Sequence, residues 1–349
     1  MSCFTVNETT GRNVLEYADD FEYNAKIRIV HRYWNLLFTF MSIILNALLC
    51  VVITRFSNPM IKINSMLFCN SIIDLLFASF YFLFGRYSFI GYSRVFSFFT
   101  GFVQLTNPNL YRLMTFCVIA INVASMNVVI AQFIFRYLLV RFNEQPRGRR
   151  LYWFLSFCIL LTGLHLLVIV GGNSAHLSAE DIEDSIAILR HYGYDVQPHE
   201  IVGRVLKPNR PVTLLQVLPL VFSLFGFILL IGFSVAIRRT LRQTAGMKIT
   251  ATRRLNQSMD RTIISMGLVP LISNVFPSLA YGAIMSRCQS NAIFSLILST
   301  CIVSSPFLNS LVTLVFIRSY RQSFFRLITF GYFEKPRQNK TSIVITTLH

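Results

Sequence analysis

The sequence predicts an all-α membrane protein built around a seven-transmembrane-helix bundle, and three observations support this prediction. Hydrophobic residues make up 54% of the 349 residues and charged residues only 13%, which is about half the charged content of a soluble domain. The apolar residues form runs close to the roughly 20 residues that a helix needs to cross a membrane. Basic residues concentrate on one side of these runs, as they do in cytoplasmic loops.

Seven apolar stretches are predicted to span the membrane as helices, because a helix satisfies its own backbone hydrogen bonds within lipid. The apolar run 95–105 is too short to span and is expected to lie at the membrane interface. The predicted spans are residues 33–53, 65–85, 113–140, 151–170, 213–237, 262–285 and 292–317.

Four prolines mark places where these helices are expected to bend, because proline lacks the N–H that would continue the helical ladder. Pro219 lies in the fifth span, Pro270 and Pro277 lie in the sixth, and Pro306 lies in the seventh. Proline kinks are also common packing features of membrane helices, so these residues alone do not establish motion.

Polar side chains inside the spans are costly in lipid and are expected to face the interior of the bundle. Asp74 stands in the middle of the second span, Asn46 in the first and Asn309 in the seventh. Hydrogen bonds among these three would form a structural clamp, which is the favoured interpretation. The alternatives are a sodium- or proton-sensitive switch and a transport site. The third span is expected to face other helices, because it carries Asn122, Ser125, Asn127 and Gln132.

The basic residues set the predicted orientation. Loops 54–64, 141–150 and 238–261, the tail 318–349 and Arg136 together hold 20 of the 32 basic residues and three acids, against 12 basic residues and 11 acids on the other side. Basic residues favour the cytoplasm, so the N-terminus is predicted outside and the C-terminus inside. The net charge of +17 then reflects basic loops against anionic lipid, and no nucleic-acid partner is expected.

The segments outside the spans give three further predictions. Residues 1–32 form an extracellular tail without a cleavable signal peptide, in which the sequon at Asn7 predicts glycosylation. The membrane domain of seven spans covers residues 33–317, and the cytoplasmic tail 318–349 begins with an amphipathic helix followed by a disordered end. Cys3 and Cys288, the two external cysteines, either pair or stay free.

An ordered set of motifs in this chain is similar to the nematode serpentine chemoreceptors of the Str superfamily, in particular the Str and Srd classes. The resemblance covers residues 33 to about 330, and Asn46 and Asp74 also resemble the rhodopsin-type receptor plan. The matching motifs are 131–137 (Ala-Gln-Phe-Ile-Phe-Arg-Tyr), Pro270 with Pro277, Ser305-Pro306, and Tyr320-Arg321.

The chain departs from the family pattern at three places. Asn309 replaces a frequent Asp, and Ser265-Met266 stand where a Gln is frequent. The usual disulfide from the third span to the second external loop cannot form, because loop 171–212 contains no cysteine.

The resemblance implies a G-protein-coupled chemosensory receptor of the olfactory type in the plasma (ciliary) membrane, with no enzymatic activity and no cofactor. A small odorant-like molecule would bind outside and favour one helix arrangement, and a heterotrimeric G protein would be activated inside. Arg136 is either a membrane-surface anchor or a contact for that partner. The expected G-protein and activation residues are Arg136, Tyr137, Arg238, Arg239, Arg253 and Arg254.

The candidate ligand residues follow from helical spacing outward from Arg136. Their mixture of apolar and weakly polar groups suits a small odorant-like molecule, although each of them equally suits core packing. The candidates are Thr115, Ile119, Asn122, Met126, Gln216, Tyr281 and Met285.

Other functional classes fit the sequence less well. The chain has no HExxH motif and no phosphate-binding loop, and the spacing of His176, His191 and His199 fixes no metal site. A transporter would favour internal repeats and midplane charge, whereas Asp74 is the one mid-span acid. A ligand-gated odorant channel of the insect type would have its N-terminus inside, so topology separates it from the receptor.

Overall fold

The computed structural model describes a helical bundle with a small β-sheet at one end, which confirms the predicted all-α membrane class. Nine α-helices are described: α1 (Phe21–Phe56), α2 (Asn64–Phe84), α3 (Pro108–Phe142), α4 (Arg149–Asn173), α5 (Ala179–His191), α6 (Leu214–Ala245), α7 (Ala292–Val303), α8 (Ser305–Phe316) and α9 (Arg318–Ile328). The described residues are 5–6, 13–14, 21–56, 64–91, 94–103, 105–142, 149–173, 179–191, 195–205, 214–245, 267–269, 271–277, 279–280 and 292–329.

Among these residues, four helices contain apolar segments long enough to cross a membrane. The segments are 29–55, 66–84, 108–138 and 224–241, in α1, α2, α3 and α6. The pair α7 and α8 is bent by 47° and would form a fifth span as one unit, and α4 contains a shorter apolar segment, 156–168. Parts of the predicted sixth span are described, and its residues 271–275 are π-helical.

The outer surface of the bundle is apolar, as a lipid-facing surface requires. On α4, Trp153, Ile159 and Leu167 are 66%, 72% and 71% exposed. In water such a face would favour aggregation, whereas lipid tails cover it without cost.

Helix α3 occupies the centre of the bundle, in contact with α2, α4 and α6, while α1 contacts α2, α7, α8 and α9. The polar residues of α3 explain its position. Asn127 Nδ2 donates to Thr162 Oγ1 of α4 at 3.3 Å, and Gln132 Nε2 donates to the carbonyl of Met66 on α2 at 3.3 Å. Neighbouring helices therefore satisfy side chains that lipid could not satisfy.

At one end of the bundle lies an antiparallel sheet of β3 (Arg86–Gly91), β4 (Arg94–Phe99) and β5 (Val202–Val205), with β4 in the middle. We call this end the sheet end. The run 95–105, expected at the membrane interface, thus supplies most of a central strand. Its β-branched and aromatic residues suit a strand, and β5 completes the pairing from more than a hundred residues downstream. A separate two-stranded pair joins β1 (Thr5–Val6) and β2 (Asn13–Val14).

The turn from α2 into β3 depends on two glycines. Gly85 has a left-handed φ of +54°, and a Cβ added there would lie 2.8 Å from the backbone nitrogen of Gly101. A Cβ on Gly101 would lie 2.3 Å from the carbonyl carbon of Phe84. The two backbones approach closely because neither residue carries a side chain.

At the opposite end, which we call the tail end, six helices share one apolar cluster, the tail-end core. Tyr320 belongs to it, so the amphipathic helix predicted after the seventh span is α9 and packs back against the bundle. The buried members of the tail-end core are Leu49, Val52, Ile53, Leu67, Val129, Phe133, Leu230, Ile237, Leu241, Leu314 and Tyr320.

The structure gives different surroundings to the four predicted kink prolines. The bend between α7 and α8 falls at Ser304, two residues before Pro306. Pro277 is buried just after the π-helical segment. Pro219 lies within the continuous helix α6, and the conformation of Pro270 lies outside the described residues.

Candidate functional site

The centre of the bundle holds a fully buried carboxylate that joins three helices. Asp74 of α2 is 0% exposed. Its Oδ1 accepts a hydrogen bond from Ser125 Oγ of α3 at 2.7 Å, and its Oδ2 accepts from Asn70 Nδ2 at 3.0 Å and from Asn309 Nδ2 of α8 at 3.1 Å. A buried carboxylate needs several donors to offset its lost hydration, and these three fix α2, α3 and α8 relative to one another.

Asn46 does not join this carboxylate, whereas the sequence predicts hydrogen bonds among Asn46, Asp74 and Asn309. Its Nδ2 donates to the carbonyl of Pro306 at 3.2 Å and to the carbonyl of Ser42 in its own helix at 2.9 Å. The contact ties α1 to the first turn of α8, just after the bend. The polar residues therefore form two adjacent hydrogen-bonded contacts on α8, one at Pro306 and one three residues later at Asn309.

Two members of the Asp74 cluster were not predicted as site residues. Asn70 lies one helical turn before Asp74 on α2, a spacing that places two side chains on one face. Ser125 was noted only as one of several polar residues in the third span. Its pairing with Asp74 depends on the rotation of α3 about its axis, which the local sequence does not determine.

Arg136 lies at the tail end of α3 and is only 4% exposed. Tyr320 of α9, 2% exposed, lies within electrostatic range of it. Burial raises the pKa of Tyr320 to about 12, and the Arg136 guanidinium opposes that rise. Beside it, the ring of Tyr137 packs 5.5 Å from the ring of Phe233 on α6. Arg136 is therefore buried at the tail end, with Tyr320 of α9 within electrostatic range.

The other predicted activation residues lie around this end or outside the described chain. Arg238 is half-buried and Arg239 exposed near the end of α6. Arg253 and Arg254 lie outside the described residues, as does Asn7 with its predicted glycosylation.

The structure brings together the four candidate ligand residues on α3. Thr115 and Ile119 are buried, and Thr115 Oγ1 donates to the carbonyl of Tyr111 at 2.9 Å. Asn122 and Met126 are half-buried. The Gln216 side chain, Tyr281 and Met285 lie outside the described part of the chain.

The α3 face that carries Thr115, Ile119, Asn122 and Met126, here called the candidate ligand stripe, approaches α6 closely at Gly226. A Cβ added at Gly226 would lie 2.9 Å from Cδ1 of Ile130 and 3.3 Å from Cε of Met126. Met126 therefore packs against the predicted fifth span.

At the sheet end, a tyrosine joins α3 to loop 171–212. This loop contains no cysteine that could form a disulfide to the third span. Tyr111 Oη donates to the carbonyl of Glu200 at 2.6 Å and accepts from the backbone N–H of Phe99 at 3.2 Å. One hydroxyl thus connects α3, β4 and the 3₁₀ turn Pro198–Glu200. Sequence reasoning missed this residue because its partners are backbone atoms, 12 and 89 residues away in the chain, which carry no sequence signal.

Comparison with known families agrees with this architecture. A family model described as the serpentine type 7TM GPCR chemoreceptor Srd matches residues 31–326. The match covers most of the chain and includes the Asp74 cluster, Arg136 and nearly all of α9. No curated protein matches the chain. Because the family model covers far more than half of the sequence, the chain belongs to the Srd family of serpentine seven-transmembrane chemoreceptors of the G-protein-coupled class.

Proposed function

We propose that this receptor binds a small, weakly polar molecule at its sheet end, outside the cell, and activates a heterotrimeric G protein at its tail end. The enclosed Arg136 is the observation that carries this proposal. A cation near the membrane surface would normally extend toward water, whereas Arg136, six residues before α3 ends at Phe142, is only 4% exposed and lies within electrostatic range of Tyr320 on α9. Such burial fits a resting state in which the partner's docking surface is closed.

The Asp74 cluster supports a route between the two ends. Its hydrogen bonds hold α2, α3 and α8 in one arrangement. A ligand shifts the bundle only if it binds another arrangement more tightly, and the coupling free energy between two such sites is typically ~1–3 kcal/mol. The exchange of a few hydrogen bonds inside the membrane changes the free energy by a similar amount, since each bond contributes about 0.6 kcal/mol on average.

The proposed ligand contacts are Thr115, Ile119, Asn122 and Met126 on α3, with Gln216, Tyr281 and Met285 opposite. The packing of Met126 near Gly226 supports the placement of α6 beside this stripe. A ligand there would press on the α3–α6 contact. Movement of the sixth span at Pro270 and Pro277 would then open the tail end.

The proposed partner at the tail end is the terminal helix of a G protein α-subunit, docked in a groove beside Arg136. Tyr137, Arg238, Arg239, Arg253 and Arg254 would line or flank that groove. The excess of Lys and Arg on this side supports a cytoplasmic location. The receptor would then lie in the plasma membrane, including the ciliary membrane, with its N-terminus outside.

The test is a cellular signalling assay with a panel of small volatile molecules and a set of Gα subunits. The full-length receptor, Arg136→Ala and Arg141→Ala are compared at matched surface expression. Arg141 is exposed near the same end of α3, so it controls for the loss of one positive charge. We expect Arg136→Ala to lose the response and Arg141→Ala to keep it. An equal response in both variants would remove Arg136 from the mechanism.

A further inference from the structure

The sixth predicted span changes its helical geometry beside the bend of the seventh. Residues Leu271–Val275, here called the π segment, are π-helical and contact both α6 and α7. Pro277 has no N–H to donate to the carbonyl of Ser273, four residues earlier, which favours a local departure from the α-helix. The α7–α8 bend of 47° lies at Ser304. Two irregular helical turns in neighbouring spans therefore lie close together, and π-helical turns are frequent at functional sites.

Two serine hydroxyls connect the π segment to this bend. Ser273 Oγ lies 3.2 Å from Oγ of Ser305, the first residue of α8, and it donates to the carbonyl of Val269 at 2.8 Å. A hydroxyl has one proton and can also accept, so Ser305 is the donor in the bond between the serines. We call this bond the serine bridge. Ser273 is 0% exposed, so water does not compete for it.

On the tail-end side of the serine bridge, the sixth span packs against the tail-end core. A Cβ added at Gly267 would lie 3.0 Å from Cδ2 of Leu230 on α6 and 3.8 Å from Cζ of Phe133 on α3. Val269, whose carbonyl accepts from Ser273, is 4% exposed. Residues 267–269 therefore help to close the tail end, and Ser273 bonds both to this segment and to α8.

The first turn of α8 is held from two further sides. Asn46 of α1 donates to the carbonyl of Pro306 at 3.2 Å, and Asn309 donates to Asp74 of α2 at 3.1 Å. Ser305 directly precedes these contacts in the same helix. The serine bridge therefore joins the sixth span to a turn whose position is set by α1 and α2.

We propose that Ser273 and Ser305 are positioning residues whose bridge fixes the rotation of residues 267–269 and keeps the tail end closed in the resting receptor. An α-helical turn holds fewer residues than a π turn. Conversion of the π segment to an α-helix would therefore rotate residues 267–269 by about 100° against the rest of the span, and the bridge would break. This inference rests on the closed resting state proposed above and names the contact that holds it.

The first test follows the tail end without a G protein. A trifluoromethyl-phenylalanine replaces Leu268, 48% exposed, in the full-length receptor in lipid nanodiscs, and fluorine NMR measures the closed and open populations. Ser305→Ala should raise the open-to-closed ratio about threefold, the effect of one average hydrogen bond in a membrane protein. Ser310→Ala should leave it unchanged, because Ser310 is buried on the same helix but donates to the carbonyls of Pro306 and Phe307. Equal spectra for both variants would overturn the proposal.

The second test locks the contact covalently. Ser273→Cys with Ser305→Cys places thiols where the oxygens lie 3.2 Å apart, so a disulfide needs a shift of only about 1 Å. Oxidation should remove the open fluorine signal and lower ligand-free nucleotide exchange on a G protein, and dithiothreitol should reverse both effects. Ser273→Cys with Ser310→Cys is the control pair and should respond to neither reagent.

The outcomes of the second test separate the serine bridge from G-protein coupling. A disulfide that forms but changes neither the fluorine signal nor nucleotide exchange would show a purely structural contact and would overturn the proposal. Failure of the disulfide to form, checked by mass spectrometry, would contradict the contact itself. A fluorine signal that responds while nucleotide exchange does not would support the serine bridge and refute the proposed G-protein mechanism.

Discussion

Loss of the Asp74 carboxylate should destabilise the bundle, because three buried donors share it as their acceptor. Ser125 Oγ, Asn70 Nδ2 and Asn309 Nδ2 lie 2.7, 3.0 and 3.1 Å from its oxygens. Side-chain hydrogen bonds in membrane proteins average about 0.6 kcal/mol and reach about 1.7 kcal/mol. Three such bonds predict that Asp74→Ala lowers the free energy of unfolding by about 2 kcal/mol, with an upper bound of about 5 kcal/mol.

A second substitution tests whether the bonds, and not side-chain volume, account for that loss. Asp74→Asn keeps one acceptor oxygen in the same space. Its new NH₂ group can donate to Asn70 Oδ1, which has no hydrogen-bond partner among the described residues. We therefore expect Asp74→Asn to lose less than half as much stability as Asp74→Ala.

The assay is unfolding of the purified receptor in mixed micelles with a rising fraction of SDS, followed by circular dichroism. Ser71→Ala is the matched control, because Ser71 is equally buried on α2 and donates to the carbonyl of Leu67 in its own helix at 2.9 Å. Its effect should stay below about 1 kcal/mol. If Asp74→Ala costs no more than Ser71→Ala, the carboxylate does not tie the helices together.

Three other substitutions test the two ends and the centre of the bundle. Tyr111→Phe removes the donor to the Glu200 carbonyl. Amide hydrogen exchange in residues 198–205 should then rise about fivefold, which corresponds to the loss of about 1 kcal/mol. Unchanged exchange would show that this hydrogen bond does not hold the loop. Gly226→Val should lower the free energy of unfolding by about 1–3 kcal/mol, because it overpacks the α3–α6 contact. Gly232→Val is the control, since an added Cβ there meets no atom within 4 Å, and it should leave stability unchanged in the same micelle assay. Equal losses of stability in both variants would contradict the packing at Gly226. Tyr320→Ala should open the tail end and raise ligand-free nucleotide exchange on a co-purified G protein several-fold, and a fall in that rate would contradict a closed resting state.

The spans could be predicted from the sequence because their signal is local. Length and apolar content decide whether a segment can cross a membrane, and α1, α2, α3 and α6 all contain qualifying segments. The same reasoning placed polar residues inside the bundle, since lipid gives them no partner.

The pairing of those polar residues could not be predicted, because it depends on how each helix is rotated and displaced along its axis. Asn46 and Asp74 both lie in mid-span, yet Asn46 reaches the Pro306 carbonyl while Asp74 receives Asn309. A rotation of one helix by a single residue position, about 100°, would turn its polar side chain away from the observed partner. Sequence spacing identifies the polar face of a helix but not the helix that this face contacts.

The sheet was missed for a different reason. β4 pairs with β5 from Arg94↔Val205 to Ser97↔Val202, and such distant pairing leaves no mark in the local sequence of either strand. The hydrogen bonds of Tyr111 to backbone atoms at both partners are equally invisible to motif reading.

The central claim, that the tail end with Arg136 faces a cytoplasmic G protein, is tested most directly by membrane topology. Epitope tags placed at residue 2 and after residue 349 are stained in intact and in permeabilised cells. The receptor arrangement predicts an N-terminal tag accessible in intact cells and a C-terminal tag accessible only after permeabilisation. A hidden N-terminal tag with an exposed C-terminal tag would place Arg136 outside the cell and contradict the G-protein mechanism.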